Sequence, residues 1–213
     1  GLLLVVGVAG LFASFSRAGI SLGVAALAWT ALAAGRFRTV RTRVVVVALL
    51  LGAASVPLAG IGADRLLARF GDAAFDLQDS GGRLTVWGDT RRMIGAFPIC
   101  GTGLGTFAEI YPRYRSPEVR KFYSHAHSDP LQLVAETGAA GALLALGAAV
   151  PLLVVVVGAL RGRKGTVGIG FAAGFVALSL HSSIDFNFHL PANAGVAAII
   201  AGTLLGLPWI DPD

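Results

Sequence analysis

Cysteine and charged residues are both scarce in this sequence of 213 residues. The single cysteine, Cys100, excludes an intrachain disulfide and a metal site built from cysteines. Charged residues make up 14% of the chain, against about 25% in an ordinary soluble domain. Because 55% of the residues are hydrophobic and the mean hydropathy is +0.74, the composition indicates an integral membrane protein, not a soluble domain with a large core.

Six hydrophobic runs have the composition of membrane spans, since a spanning helix takes about 20 mostly apolar residues. We expect Pro151 to kink the long fourth run. The short first run opens the chain without an initiator methionine or a signal peptide, so we expect a piece of a longer polytopic protein. The sequence therefore predicts an all-α transmembrane bundle of about six spans, forming one membrane domain over residues 1–213. The runs cover residues 1–15, 18–35, 44–61, 131–157, 165–184 and 192–210.

Two short connectors between the runs are purely basic, at residues 36–43 (RFRTVRTR) and 161–164 (RGRK). By the positive-inside rule both face the cytoplasm. Because they lie between spans, we favour this interpretation over a patch that binds nucleic acid or lipid headgroups. An even number of spans must then separate them, which predicts that residues 62–130 form a loop on the outer side.

This outer loop is far longer than a connector needs, and long loops are usually functional or disordered. Its apolar content favours an ordered loop. Leu84, Trp87, Ile94 and Phe97 fall near one face of a helix that would end at Phe97, ahead of Pro98. We predict amphipathic helices lying on the outer membrane surface. The apolar residues of the loop are Trp87, Met93, Ile94, Phe97, Leu104, Phe107, Tyr111, Tyr114, Phe122 and Tyr123.

Several ionisable residues map to the outer ends of the predicted spans. Charged groups near membrane depth are rare and indicate a functional site by default. Each also has a simpler interpretation, since an arginine at a helix end often only extends to the headgroups and a lone loop histidine is often inert. Their convergence on one side favours a site without naming a reaction. They are Arg17, Arg83, His127, His181, Asp185 and His189.

Two glycine patterns have weaker meanings. GTGLG at residues 101–105 follows a predicted helix and not a strand, so it lacks the context of a nucleotide-binding loop and is expected to form a tight turn. Gly138 and Gly141 are expected to allow close helix packing. The histidines lack the HExxH spacing of a zinc site, and a metal shared by His125 and His127 is disfavoured.

Five short motifs together resemble the O-antigen ligase/polymerase family. The pattern H-[NSQ]-x9-G-x-x-G fits His127 to Gly141, with Ser128 at its second position. The resemblance covers nearly the whole chain, as the C-terminal half of a family member, and implies a GT-C-like membrane fold. The other motifs are SRAG (16–19), GRLTVW (82–87), GTGLGTF (101–107) and the H-x3-D…P element of His181, Asp185 and Pro191.

The resemblance implies a membrane glycosyltransferase of the bacterial inner membrane with its active site on the periplasmic face. Family members move a glycan from an undecaprenyl-diphosphate carrier to an acceptor hydroxyl. The acceptor is the lipid A core in ligases, another repeat unit in polymerases and a protein in other relatives. No nucleic acid, metal or other cofactor is expected.

The resemblance also implies roles for single residues. Arg17 and Arg83 would bind the diphosphate leaving group, because guanidinium stays charged and binds phosphate oxygens in pairs. His127 would be the base or the group that orients the acceptor. Asp185 and Glu136 are expected at the substrate, Asp185 in pairing with a cation or in donor binding and Glu136 in positioning His127's surroundings or an arginine.

Some points stay open. Asp129 either orients the ring of His127 or is solvated. Ser128 replaces the asparagine that is common in the family, and Pro130 replaces an aromatic residue, which leaves the acceptor uncertain.

Two rival hypotheses come from other classes of protein. In a polysaccharide transporter subunit, the arginines would line a path and His127 would relay protons, with charges at mid-membrane and broken helices. In an envelope scaffold, the loop would bind a partner and Arg17, Arg83 and His127 would be dispensable.

Overall fold

The computed structural model describes residues 16–33 and 82–210, in which every regular element is helical. The all-α prediction is therefore confirmed for these residues. The predicted spans at 1–15 and 44–61, the basic connector 36–43 and residues 62–81 of the predicted outer loop lie outside the described part. The helices are α1 (Arg17–Ala33), α2 (Arg83–Ala96), α3 (Phe107–Ile110), α4 (Asp129–Leu160), α5 (Gly165–Ser182) and α6 (Pro191–Gly206), with 3₁₀ turns at Tyr111–Arg113 and Asn187–His189.

Two of these helices, α4 and α5, are long and apolar enough to cross a membrane. Helix α4 has 32 residues and contains an 18-residue window with a mean hydropathy of 2.7, and α5 has 18 residues with a value of 1.4. The hydrophobic runs at 18–35 and 192–210 form the shorter apolar helices α1 and α6, of 17 and 16 residues. Two helices of the described part thus have the length and composition of a span, and the count of six stays a prediction.

Helix α5 lies at the centre of the bundle and packs against α1, α4 and α6. The start of α1 is beside the end of α5, since Ser16 Oγ lies 3.2 Å from His181 Nε2. The start of α4 is there too, because Ser182 Oγ donates a hydrogen bond to Asp129 Oδ2. One end of the bundle thus gathers the start of α1, the start of α4 and the end of α5.

The opposite end of the bundle carries the basic connector 161–164. Lys164 is buried, donates a hydrogen bond to the carbonyl of Leu207 and has its Nζ 4.3 Å from the centre of the Trp209 ring. Arg163 lies over the same ring at 5.1 Å. The residues that follow α6 therefore hold this connector, and its cytoplasmic location stays a prediction.

Residues 82–135 build a second core beside the bundle, so this part of the predicted outer loop is ordered. Its fully buried side chains come from α2, α3, the start of α4 and the segments between them: Val86, Met93, Phe107, Tyr111, Val119, Ala126 and Ala135. Apolar side chains at intervals between Val86 and Ala135 are what such a core requires.

A buried carboxylate joins α2 to the segment after α3. Asp89 accepts hydrogen bonds from the hydroxyl of Tyr111 at 3.0 Å and from the N–H of Ser116 at 2.9 Å. Arg92 donates to the other carboxylate oxygen at 2.6 Å and to the carbonyl of Tyr114 at 2.9 Å. These donors satisfy the carboxylate and make its burial tolerable.

The predicted helix is confirmed at Arg83–Ala96, and this network decides which of its faces packs into the second core. Its location on the membrane surface stays a prediction. The buried residues are Val86, Asp89, Thr90 and Met93, whereas Leu84 is 50% exposed. The hydrophobic pattern treats Asp89 as a surface residue, and the partners that allow its burial lie more than 20 residues further along the chain.

Helix α4 is broken at Gly138, whose φ of 63° and ψ of −163° lie outside the helical region. Pro151, the predicted kink, keeps helical dihedral angles. Beyond the break, the N–H groups of Ala139 and Ala140 donate to the carbonyls of Pro98 and Ile99 at 2.9 and 3.0 Å. A backbone segment inserted beside a helix interrupts the hydrogen bonding of a whole turn, which is a recognised cause of a break.

The inserted segment is residues 98–105, which we call the glycine turn. Thr102 and Gly103 donate their N–H groups to the carbonyls of Ala135 and Glu136 at 3.1 and 2.8 Å, so the turn also closes the helix before the break. Gly101, Gly103 and Gly105 all have positive φ. The prediction of a tight turn at GTGLG is confirmed.

Within residues 16–33 and 82–210, neither Gly138 nor Gly141 has a second helix as its nearest neighbour, and their role in helix packing stays a prediction for the rest of the chain. A Cβ on Gly138 would overlap the carbonyl of Ile99 in the glycine turn, and one on Gly141 would overlap the side chain of Thr137 in the same helix. Gly138 thus permits contact between the broken helix and a loop, a pairing that spacing alone does not reveal.

We expect Gly138→Ala to destabilise the protein, with Gly147→Ala as the matched control. The backbone at Gly138 combines a positive φ with an extended ψ of −163°, which costs a non-glycine residue about 1–3 kcal/mol, and the overlap with Ile99 adds to this. Gly147 lies in the same helix with open space around its Cα, so its replacement should cause no loss. Thermal unfolding of the purified proteins measures both effects. Equal stability of the two variants would show that the break does not need glycine.

Candidate active site

His127 lies between the second core and the start of α4, in a strained conformation. Its φ of 52° makes it the one non-glycine residue with positive φ in the described ranges. The neighbouring Ala126 holds this geometry from both sides: its N–H donates to Gln132 Oε1 at 3.1 Å and its carbonyl accepts from Trp87 Nε1 at 2.9 Å. Backbone strain of this kind concentrates at functional sites.

Asp185 orients the ring of His127. The connection between α5 and α6 carries Asp185, whose Oδ1 lies 3.1 Å from His127 Nδ1. The same oxygen accepts the N–H of Phe186 at 3.0 Å. The carbonyl of Asp185 accepts the N–H of Asp129 at 3.2 Å, so backbone and side chain both join this connection to the start of α4.

Arg83 approaches the other oxygen of the same carboxylate. Its guanidinium lies 3.5 Å from Asp185 Oδ2 and donates to the carbonyl of Ile184 at 2.9 Å. The side chain is 40% exposed, so a substrate can still reach it. Asp185 therefore brings together Arg83 at the start of α2 and His127 before α4, two residues that the sequence places 44 positions apart.

The surroundings of Asp185 keep its carboxyl ionised at neutral pH. Burial raises its pKa, but the hydrogen bond from His127, the charge of Arg83 and the N–H of Phe186 together lower the pKa below its ordinary value. An ionised carboxylate only accepts hydrogen bonds. We therefore assign the ring proton of His127 to Nδ1, which leaves the lone pair of Nε2 to accept a proton.

Asp129 does not orient His127 and is not solvated. It is buried, and its Oδ1 lies 2.5 Å from Nδ1 of His189. Its Oδ2 accepts hydrogen bonds from Ser182 Oγ and from the N–H of Phe188. The two histidine–aspartate pairs are thus crossed, with each aspartate pairing with the more distant histidine.

Aromatic rings surround the imidazole of His127. Phe186 and Tyr123 contact it edge-on, with ring centres at 4.9 and 5.6 Å. Phe186 also stacks on His125 at 4.7 Å. Burial, together with the nearby His189, lowers the pKa of His125 and keeps it neutral. Sequence reasoning missed Phe186, although an aromatic residue next to Asp185 in a short polar connection was an available signal.

Glu136 holds the glycine turn. It is 3% exposed, and its two oxygens accept the N–H groups of Gly105 at 2.9 Å and Phe107 at 3.2 Å. Gln132 donates to it at 3.0 Å and accepts from the N–H of Ala126, next to His127. The carboxylate is thereby linked to the strained backbone of the site, and direct contact with a substrate stays a prediction.

Arg17 begins α1, and its side chain lies outside the described part of the structure. The backbone there is near the site, because the preceding Ser16 contacts His181, four residues before Asp185. The structure thus brings Arg83, His127 and Asp185 into contact and places the start of α1 at the same end of the bundle.

We expect Asp185→Asn to flatten the acid dependence of stability. The pKa of Asp185 is lower in the folded protein than its ordinary value of 3.8, so its contribution is complete above that value and disappears as the pH falls through the lowered pKa. Unfolding temperatures between about pH 5 and pH 2 measure the effect, with the exposed Glu118→Gln as control. Parallel profiles for the wild type and Asp185→Asn would contradict this account.

The chain matches a protein-family model. The model of the O-antigen ligase family matches residues 2–146, which include Arg17, Arg83, His127 and Glu136. No curated protein matches the chain. Since the matched residues are more than half of the sequence, the chain belongs to the O-antigen ligase family, whose members are membrane-embedded bacterial glycosyltransferases of the ligase and polymerase type.

Proposed function

We propose that this protein transfers a glycan from an undecaprenyl-diphosphate carrier to a hydroxyl of the lipid A core, as an O-antigen ligase. The observation that carries the proposal is the contact of His127 and Arg83 with the two oxygens of Asp185. One carboxylate thus holds a side chain that can accept a proton beside a cation that can bind phosphate, in a chain of the O-antigen ligase family.

In the proposed step the acceptor hydroxyl attacks the sugar carbon bonded to the carrier phosphate. A bond forms between that carbon and the acceptor oxygen, and the bond to the phosphate oxygen breaks. The hydroxyl proton passes to Nε2 of His127, whose other nitrogen is held by Asp185 at 3.1 Å. The electron pair of the broken bond leaves with the carrier diphosphate.

Arg83 stabilises the negative charge that grows on this leaving group. A fixed guanidinium near the diphosphate favours the transition state more than the bound substrate, because the charge on the phosphate increases during the step. Arg17 is the proposed second cation, at the start of α1. The diphosphate bond supplies the driving force, so the step as proposed needs neither a metal ion nor a nucleotide.

The position of the site suits a lipid-linked substrate. His127 and Asp185 lie at the start of α4 and after the end of α5, the two helices of membrane-spanning length. A polar site at the ends of spanning helices lies at headgroup depth, where a carrier lipid presents its phosphates. We propose a six-span GT-C-like bundle in the inner membrane with this end facing the periplasm, opposite the basic connector 161–164.

The transporter hypothesis gains one feature from the structure, the break in α4, but the enzyme remains favoured. The break at Gly138 leaves backbone N–H groups without partners in the helix, and those of Ala139 and Ala140 are bonded to the glycine turn. A transporter's broken helix instead directs such groups at its substrate. The ionisable groups also meet at the ends of the helices and not at their middle.

We expect His127→Ala to lower the transfer rate roughly 10²–10⁴-fold, the usual contribution of a general base. Arg83→Ala should lower it roughly 10²–10³-fold, and Arg83→Lys should recover part of the loss, because lysine keeps the charge but loses the paired donors. Transfer by purified protein in liposomes measures this. Arg91→Ala, an exposed arginine of the same helix, is the control and should be unaffected. Full activity of His127→Ala would rule out the mechanism.

Deletion of the gene separates ligase from polymerase. If the protein is a ligase, the deletion strain keeps long polymer on its carrier, unattached to lipid A core, because only the last transfer is missing. If it is a polymerase, the deletion strain attaches only single repeat units. We expect the first pattern in gel analysis of surface glycans and of carrier-linked intermediates, and the second would assign the chain to the polymerase alternative.

A further inference from the structure

We propose that the glycine turn is a membrane contact, with the side chains of Ile99 and Leu104 inserted among the lipid acyl chains at this end of the bundle. The partner is the lipid itself, not another protein. The inference rests on the membrane location of α4 and does not depend on the proposed reaction.

The length of α4 puts its break at the membrane boundary. The helix beyond the break, residues 139–160, has roughly 22 residues and a length of about 33 Å at about 1.5 Å per residue. The hydrocarbon core of a bilayer is about 30 Å thick. With the connector 161–164 in the headgroups at one end, Gly138 lies at the opposite edge of the hydrocarbon, together with the glycine turn that is bonded to it.

The surface of the glycine turn is apolar. Ile99 is 70% exposed and Leu104 is 76% exposed. No charged residue occurs from Met93 to Ala108, so about 16 residues of the second core present no charge at this place. Exposed aliphatic side chains without neighbouring charges are typical of a surface in contact with lipid.

Several backbone groups of the turn are already paired with α4, as contact with hydrocarbon requires. Irregular backbone is tolerated at membrane depth only where its polar groups have partners within the protein. The carbonyls of Pro98 and Ile99 accept hydrogen bonds from α4, and the N–H groups of Thr102 and Gly103 donate to α4. The N–H of Gly105 is bonded to Glu136.

The apolar surface of the turn continues into the lipid-facing surface of α4. Ile99 is bonded through its carbonyl to Ala140. Leu143, Leu144 and Leu146 follow on the next turns of the helix and are more than half exposed. A helix of spanning length presents such leucines to acyl chains, and a lipid surface covers both areas without interruption.

This contact has a consequence for the site. Glu136 bonds the glycine turn on one side and Gln132 on the other, and Gln132 holds the N–H of Ala126 beside His127. A turn embedded in lipid therefore fixes the depth of the imidazole relative to the membrane surface. A lipid carrier then meets the histidine at a constant height.

Spin labels test the proposal in full-length protein reconstituted in phosphatidylethanolamine and phosphatidylglycerol liposomes. Single cysteines are placed at Ile99→Cys and Leu104→Cys in a Cys100→Ser background, and the exposed Glu118→Cys in the second core is the control. A label at the native Cys100, also exposed, gives a further site without any substitution. Power saturation measures collisions with oxygen, which concentrates in lipid, and with a water-soluble nickel chelate.

Labels at 99 and 104 should collide with oxygen more than with the nickel chelate, with a ratio several-fold above that at 118. A ratio equal to that of the control would mean that the turn faces water and would overturn the proposal. Low collision rates with both reagents would mean that protein covers the turn, which would overturn it equally. Neither result would affect the loss of transfer in His127→Ala, so the proposed function is tested separately.

Discussion

Asp185 accepts a hydrogen bond from His127 on one carboxylate oxygen and faces Arg83 with the other. Three parts of the chain meet at this group: the start of α2, the segment before α4 and the connection after α5. The lowered pKa of Asp185 keeps the carboxylate charged, which fixes the tautomer of the imidazole and balances the guanidinium. The neighbouring Asp129–His189 pair fastens the same connection to α4, so the site is held by two crossed pairs.

A second constraint keeps the imidazole in place from the other side. Glu136, a carboxylate inside an apolar run, is explained by the glycine turn, whose N–H groups it accepts at Gly105 and Phe107. The turn can occupy this position only because Gly138 interrupts α4 and carries no side chain. The glycines at 101 and 138 and the buried glutamate are therefore parts of one arrangement, which ends at the strained backbone of His127.

Hydropathy predicted the helices because apolar length is a local property of the sequence, and the ends of α4 and α5 lie close to the predicted limits. Hydropathy could not predict contacts between residues that are far apart in the sequence. Asp129 is two residues from His127, yet it pairs with His189, and the buried face of α2 depends on Tyr111 and Ser116. The break at Gly138 needs a partner segment that no periodicity reveals. The family motifs, by contrast, contain the three residues that meet in the structure, because a motif marks residues irrespective of their distance in the sequence. The side chain of Arg17, the other predicted cation, lies outside the described part.

A double-mutant cycle tests the account most directly. The transfer rate, as kcat/KM, is measured for the wild type, His127→Ala, Asp185→Ala and the double variant. If Asp185 acts through the imidazole, removing it costs much less activity once His127 is absent, and the loss that remains reflects its contact with Arg83. Losses that multiply in the double variant would show that the two residues act independently, and would contradict a site organised by their contact.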